Sequence, residues 1–391
     1  MGSSSVMARR INAAGWLLLA LTALHLIAVN IATSTTSNYT PRTSYVGVIV
    51  LGTNFTPFTL ISVLLGIGQA VAYYLLLKSY RNRIFYAGIL NGITIILLSL
   101  FNISWGLIYY ISLYSNFALL CILVLGLAYL NLIRSQFRYF GTAAGLVMLI
   151  LLLLIVTGYT GVLGSGGTEN VDVYLIHIWG IAYGAYLIGG TDRTAEAKRK
   201  DAEQFNYVRV AGSLLLVSVT LLFIAIIATS SLYPTYSPAY QYIDELGLGS
   251  MGDLYNASLF LFGVAFLVSF YLVGKIYRSP FLLLWGALGG IGTILVSIFN
   301  KTAGRLELFW EYAALISMAL VITYSARFLR RPMGIFSVAI GASMLASMAL
   351  SLFGLTAGLG AGGIERMVVY PLFIWVAAFG AYLIGRGTEI A

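Results

Sequence analysis

The sequence predicts an all-α polytopic membrane protein of about 12 transmembrane helices, arranged as two parallel six-helix repeats with both termini cytoplasmic. Three observations carry this. Apolar residues make up 60% of the 391-residue chain and charged residues 9%, with a mean hydropathy of +0.93, far from soluble averages. Apolar runs close to the ~20 residues needed to cross a ~30 Å hydrocarbon layer recur from end to end. The chain also repeats itself at an offset of 196 or 197 residues. Ser-Gly-Gly-Thr-Glu at 165–169 returns as Ala-Gly-Gly-Ile-Glu at 361–365, and Gly-Ala-Tyr-Leu-Ile-Gly at 184–189 returns unchanged at 380–385. Tyr39, Pro41, Tyr45 and Gly52 return as Tyr236, Pro238, Tyr242 and Gly249. A constant offset over separate landmarks is the mark of a tandem duplication.

The spans fall in order. The first repeat, 1–190, gives 11–32, 57–77, 84–104, 113–133, 139–160 and 171–190; the second, 207–391, gives 207–230, 255–274, 281–299, 308–328, 333–356 and 366–385. Backbone amides in lipid have no water to bond, so these runs must be helices. Six spans return the chain to its starting side, so the repeats share one orientation about an axis along the membrane normal. Between them lies a charged cytoplasmic linker, 191–206, in which Glu196 and Lys200 have helical pairing distance.

Charge sets the topology. With the amino terminus inside, 18 of the 22 basic residues are cytoplasmic and only Arg42, Lys301, Arg305 and Arg366 lie outside. The net charge of +9 is then topological, and no nucleic-acid partner is implied; membrane lipids and other membrane subunits are the expected partners. The acceptor sites Asn38, Asn54, Asn102 and Asn300 fall in outer segments and are candidates for glycosylation, while Asn256 sits close to a helix. Arg9 and Arg10 precede an uncleaved first span rather than a secretory signal. Cys121 is the single cysteine, so neither an internal disulfide nor a cysteine metal cluster is expected.

The outer loop of the second repeat runs from Tyr233 to Gly249, followed by Asp253. Its Tyr236-Ser237-Pro238 and Ile243-Asp244-Glu245-Leu246-Gly247, with Asn256 opening the next helix, resemble a six-helix archaeal and bacterial membrane family, the domain of unknown function family 998. The similarity to DRAM-type proteins is looser. Asp244 stands where that family has Ser and Glu245 where it has Asp. The resemblance implies a six-helix membrane fold in an archaeal cell membrane and imports no activity. The first repeat carries Gly47 and Val48 at the acidic positions.

Asp244, Glu245, Asp253, Glu307 and Glu311 are the candidate ligand-binding residues, an outward acidic vestibule for a cation, an amine or a sugar-like head group. Glu307 and Glu311 share one helix face, and a carboxylate at the edge of hydrocarbon faces protein or water. The plainer reading makes them loop-fixing acids paired with Arg305. Glycine-rich segments 161–169 and 358–365 are expected as loops over the outer mouth, with Glu169 and Glu365 capping the helices that follow. His25 and His177 lie at one depth on two spans, and a haem b between them is the alternative cofactor; Leu221 and Phe373 or Leu372 occupy those positions in the second repeat. Gln69 and Asn91 are the few deep polar residues. No nucleophile–base pair and no metal-ligand spacing is present, so an enzyme is not expected. The first-ranked function is an accessory or scaffold subunit of a cell-membrane assembly. The alternatives are a transporter or head-group binder and a bis-histidine haem electron-transfer subunit.

Overall fold

A computed structural model of the protein describes residues 2–36, 39–46, 56–101, 103–133, 136–191, 202–233, 235–299 and 301–386. Twelve α-helices occupy them, and no strand occurs among the described residues. The first six are α1 (Gly2–Thr35), α2 (Thr56–Tyr80), α3 (Phe85–Leu100), α4 (Leu107–Tyr129), α5 (Gln136–Thr157) and α6 (Gly164–Gly190). The second six are α7 (Ala202–Leu232), α8 (Gly252–Ile276), α9 (Pro280–Ile298), α10 (Arg305–Ser325), α11 (Arg331–Leu352) and α12 (Gly360–Arg386). Eleven are long and apolar enough to cross a membrane. The exception is α3, whose 16 residues rise only about 24 Å at 1.5 Å per residue. Every expected span is present as a helix.

α1 starts nine residues before its expected span, at Gly2, and the starts of α6 and α12 come seven and six residues early. The sequence reading opened the latter two spans at 171 and 366, whereas the helices begin at Gly164 and Gly360. Each of those two glycines has a positive φ, 74° and 78°, which turns the chain sharply into the helix. The following glycines stay helical because a neighbouring backbone lies against them. A Cβ on Gly166 would stand 2.7 Å from the Ser44 nitrogen, and one on Gly362 would overlap the Gln241 carbonyl. Most of each glycine-rich segment is therefore helix, not a loop over the mouth.

α6 and α12 form the centre, buried on nearly every side along their length, as helices apolar all round must be. They run parallel: the Tyr174 and Tyr370 rings meet edge to face at 6.0 Å, and nearer the carboxyl ends Gly189 faces Tyr382 while Gly385 faces Tyr186. Such reciprocal contacts are those of a two-fold axis. Each central helix also grips the first helix of its own half through paired glycines. A Cβ on Gly15 would lie 2.6 Å from the Gly184 carbonyl oxygen, and one on Gly212 2.5 Å from that of Gly380. Small residues permit this backbone approach in lipid, where dispersion and not hydrophobic exclusion drives helices together. α1 runs antiparallel to α6, so the first residue of α1 and the last of α12 share one face. The 39–46 and 235–251 segments share the opposite face, here the loop face.

Asn38, Asn54, Asn102 and Asn300 lie outside the described residues, as do Gly47, Val48 and linker residues 192–201. Asn256 is inside α8 and its side-chain amide donates to the Gly247 carbonyl at 3.4 Å.

Replacing Gly189 by Ala forces a methyl into the Tyr382 backbone and is expected to destabilise by about 1–3 kcal/mol, the usual range for overpacking. Gly68→Ala meets only the end of the Leu21 side chain, which can rotate away. Thermal unfolding of the detergent-solubilised protein should show the larger drop in midpoint for Gly189→Ala.

Candidate functional site

On the loop face, α6 and α12 each hold down a loop by the same device. Glu169 Oε2 accepts the Val46 amide at 2.9 Å, and Glu365 Oε2 accepts the Ile243 amide at 2.6 Å. Both glutamates are buried, five residues inside their helices. They clamp a neighbouring loop instead of capping their own helix, because the dipole-facing end is already taken by backbone. The Gly166 amide donates to the Arg42 carbonyl at 3.0 Å, and the Gly362 amide to that of Ala239 at the same distance.

The next residue along differs between the halves. In α6, Asn170 donates to the Pro41 carbonyl at 3.0 Å and accepts from the Tyr39 hydroxyl at 3.1 Å. In α12, the buried Arg366 donates to the carbonyls of Pro238 (2.7 Å), Gly362 (2.9 Å) and Gln241 (3.1 Å), and its second terminal nitrogen bonds the Tyr236 hydroxyl. Burial raises the pKa of both tyrosine hydroxyls above its ordinary value, so each stays a neutral donor or acceptor.

Beneath each clamp lies a cavity. The first, about 150 Å³, runs between α1, α2, α3, α4 and α6 and is lined mainly by apolar side chains, with His25, His177, Ser62, Gln69, Asn116 and Glu169 among the polar ones. The second, about 70 Å³, sits between α7, α8, α9, α10 and α12 and has Asp244, Glu311, Glu365 and Thr293 in its wall. The two occupy matching places. Val46, Phe58, Glu169, Val173 and His177 line one; Ile243, Tyr255, Glu365, Val369 and Phe373, 196 or 197 positions on, line the other.

In the first cavity the two histidines touch. His25 Nδ1 and His177 Nε2 are 2.7 Å apart with the rings stacked at 5.0 Å. His177 Nδ1 lies 2.6 Å from the Val173 carbonyl, and His25 Nε2 lies 2.9 Å from Ser62 Oγ. A carbonyl only accepts. With both rings neutral, His25 donates to His177 and His177 to Val173, which leaves His25 Nε2 and the Phe58 carbonyl, 2.9 Å from Ser62 Oγ, as two acceptors for the one Ser62 proton. A haem does not fit this arrangement. Iron held between two imidazoles needs roughly 4 Å between their nitrogens, twice a metal–nitrogen bond of about 2.0–2.1 Å, and every ring nitrogen already has a partner. The residue facing the second cavity at the position of His25 is Leu222; Leu221, the residue read from the sequence, points outward.

The deep polar residues form a second chain across α2, α3 and α4. Gln69 donates to Asn91 Oδ1 at 2.8 Å, and Asn91 donates to Asn116 Oδ1 at 2.8 Å and to its carbonyl at 2.9 Å. Gln69 and Asn91 were legible as polar residues in apolar runs. Asp172, an acid inside an apolar run, is legible in the same way, and neither of its buried oxygens has a hydrogen-bond partner among the described residues; Ser62 carries no signal that separates it from a packing residue.

Of the five vestibule acids, three converge. Asp244, Glu307 and Glu311 each place a carboxylate oxygen within 4.8 Å of the others. Glu245 stands beside them through Lys301, whose ammonium is 2.8 Å from Asp244 and 3.3 Å from Glu245. Burial opposes the Lys301 charge, but the bond to Asp244 and the two carboxylates outweigh it and raise its pKa. Asp253 stays apart, exposed in the first turn of α8. The counter-ion is thus Lys301 and not Arg305, which is exposed and makes no ion pair among the described residues.

Residues 216–382 match the family model described as protein of unknown function (DUF998). The match takes in most of α7 and the whole of α8–α11, and ends within α12. No curated protein and no solved structure matches the chain.

Removing the clamp by Arg366→Met strands buried carbonyls of Pro238 and Gln241, each worth about 1–3 kcal/mol when left unpaired. The expected result is a lower unfolding midpoint and faster proteolytic cutting within 233–251 than in the native protein, measured by limited digestion in detergent.

Proposed function

We propose, for a chain whose residues 216–382 belong to the DUF998 family of unknown function, a role as a non-enzymatic binding protein of the cell membrane. Its first half holds a small amphipathic molecule. The observation that carries this reading is the pair of cavities at matching places, one under each loop clamp. A cavity of about 150 Å³ lined by apolar side chains is the size that takes a benzene-like ring. Several of its polar groups gather at two stations, the Ser62–His25–His177 chain and the Gln69–Asn91–Asn116 chain, with Glu169 apart from both. Mostly apolar walls with a few converging polar groups are the usual form of a small-molecule site. The ligand class that suits it is an apolar ring or short chain bearing one or two hydrogen-bonding oxygens.

This favours the transporter or head-group-binder reading over the scaffold. A scaffold needs neither enclosed space nor polar chains linking three helices near mid-span. In this reading the two halves are copies of one six-helix unit, supported by the matching glycine contacts and loop clamps. Both termini face the cytoplasm, supported by the bias of basic residues towards that face. The surrounding partners are membrane lipids.

The test is native mass spectrometry of the detergent-purified chain after incubation with a membrane lipid extract. A retained small molecule is expected in the native protein. It should fall at least about tenfold, corresponding to 1.4 kcal/mol, in a His177→Phe, Gln69→Leu variant, while Phe373→Leu leaves it unchanged. Retention that ignores the first-half substitutions would refute the reading. Topology is checked separately: Cys121 is buried, so a cysteine introduced at Ser3 should react with an impermeant maleimide only from the cytoplasmic side.

A further inference from the structure

The second half lacks the first half's polar chains and has carboxylates instead. Asp244 comes from the loop, and Glu307 and Glu311 from the first two turns of α10. Their oxygens gather within 4.8 Å, with Glu245 next to them and Glu365 across the cavity. One ammonium, Lys301, stands against this group through Asp244 and Glu245. Arg366 faces Glu365 from α12 but spends its hydrogen bonds on loop carbonyls and Tyr236. The cluster is short of positive charge.

A second feature points to what is missing. Glu307 is only 3% exposed, and its Oε1 has no hydrogen-bond partner among the described residues. A buried carboxylate oxygen without a donor is unstable by itself, and a metal ion is one of the few things that would satisfy it. The cavity of about 70 Å³ adjoining Asp244 and Glu311 leaves room for several waters at about 10–15 Å³ each.

We propose that Asp244, Glu307 and Glu311 form a divalent-cation site of calcium type. The donors are all carboxylate oxygens, which suit a hard cation. Calcium–oxygen bonds of 2.3–2.6 Å bridge oxygens roughly 4.6–5.2 Å apart, whereas magnesium at 2.0–2.1 Å reaches only about 4.2 Å and demands near-ideal octahedral geometry. Oxygens within 4.8 Å of one another lie inside the span that the larger ion bridges, and its tolerance of irregular geometry suits a site completed by water. Waters in the cavity complete its coordination. The ion joins the 235–251 loop to α10 and closes the mouth of the second cavity. The first half has Gly47, Tyr109 and Leu113 where these acids stand, counting along α4 and α10 from their matching first residues Leu107 and Arg305, so the site belongs to one half alone. It is independent of the ligand read for the first cavity.

The experiment uses the full chain in detergent, stripped with EDTA and titrated with Ca²⁺ or Mg²⁺. Thermal unfolding is one readout and Tb³⁺ luminescence, displaced by Ca²⁺, the other. Calcium should raise the unfolding midpoint with half-saturation on the order of 0.1–1 mM, the range of extracellular calcium modules, and magnesium should act more weakly. Glu311→Gln should weaken Ca²⁺ binding at least tenfold, while Tyr109→Phe, at the first-half position that matches Glu307, changes nothing. Glu307→Gln separates a metal site from a structural cluster. It removes repulsion, so the EDTA-stripped variant should melt no lower than the stripped native protein yet lose its response to Ca²⁺. No response of the native chain to Ca²⁺, or an equal response in Glu311→Gln, overturns the proposal.

Discussion

Everything in this molecule is hung on the close approach of α6 and α12. Two parallel helices meet where Gly189 faces Tyr382 and Gly385 faces Tyr186, at a separation that any side chain on either glycine would forbid. In lipid there is no hydrophobic gain from bringing helices together, so dispersion across such flat surfaces has to supply the attraction. The same logic repeats outward. α1 and α7 lie on the central pair through Gly15–Gly184 and Gly212–Gly380, and α2 and α8 meet their neighbours through Gly66–Gly92 and Gly263–Gly290. The remaining helices of each half enclose the spaces these rigid contacts leave.

Because the central helices are fixed, their loop-face ends can act as anchors. Glu169 and Glu365 use one carboxylate oxygen each on a loop amide, and that bond sets the ceiling of each cavity. Asn170 and Arg366 then show how one scaffold takes two chemistries. The asparagine has one donor to spare for a single carbonyl, while the guanidinium, with five donors, ties three carbonyls and a tyrosine. Among the described residues, Arg366 bonds its loop at Tyr236, Pro238 and Gln241, and Asn170 its loop at Tyr39 and Pro41.

The cavities diverge in the same manner. In the first half Asn116 extends a neutral chain to Asn91 and Gln69; in the second Ala314 stands at that position, and Glu311, facing Asp244, takes the place of Leu113. Phe266 and Gly289 stand at the positions of Gln69 and Asn91, so the second half has no counterpart of that amide chain. His25 and His177 complete the contrast, since Leu222 and Phe373 stand opposite. Two halves with one backbone plan therefore offer one neutral, hydrogen-bonding chamber and one acidic chamber.

The sequence by itself determined that the chain is a multi-pass membrane protein and how many helices it has. Apolar run length is a one-dimensional quantity, and lipid enforces it without reference to neighbours. It also located the acidic loop and the histidine pair. Only the tertiary structure decided which of those acids converge, because Asp244 reaches Glu307 and Glu311 across 63 and 67 residues of chain, and Asp253, nine residues away, points elsewhere. Only packing showed that His25 and His177 bond each other directly and leave no gap for iron. The glycine-rich segments misled for a related reason: glycine at a helix start and glycine in a loop have the same letter, and the difference is a neighbouring backbone lying against Gly166 and Gly362. Contacts between residues distant in the chain are set by the three-dimensional fit of helices, and composition and spacing do not encode that fit locally.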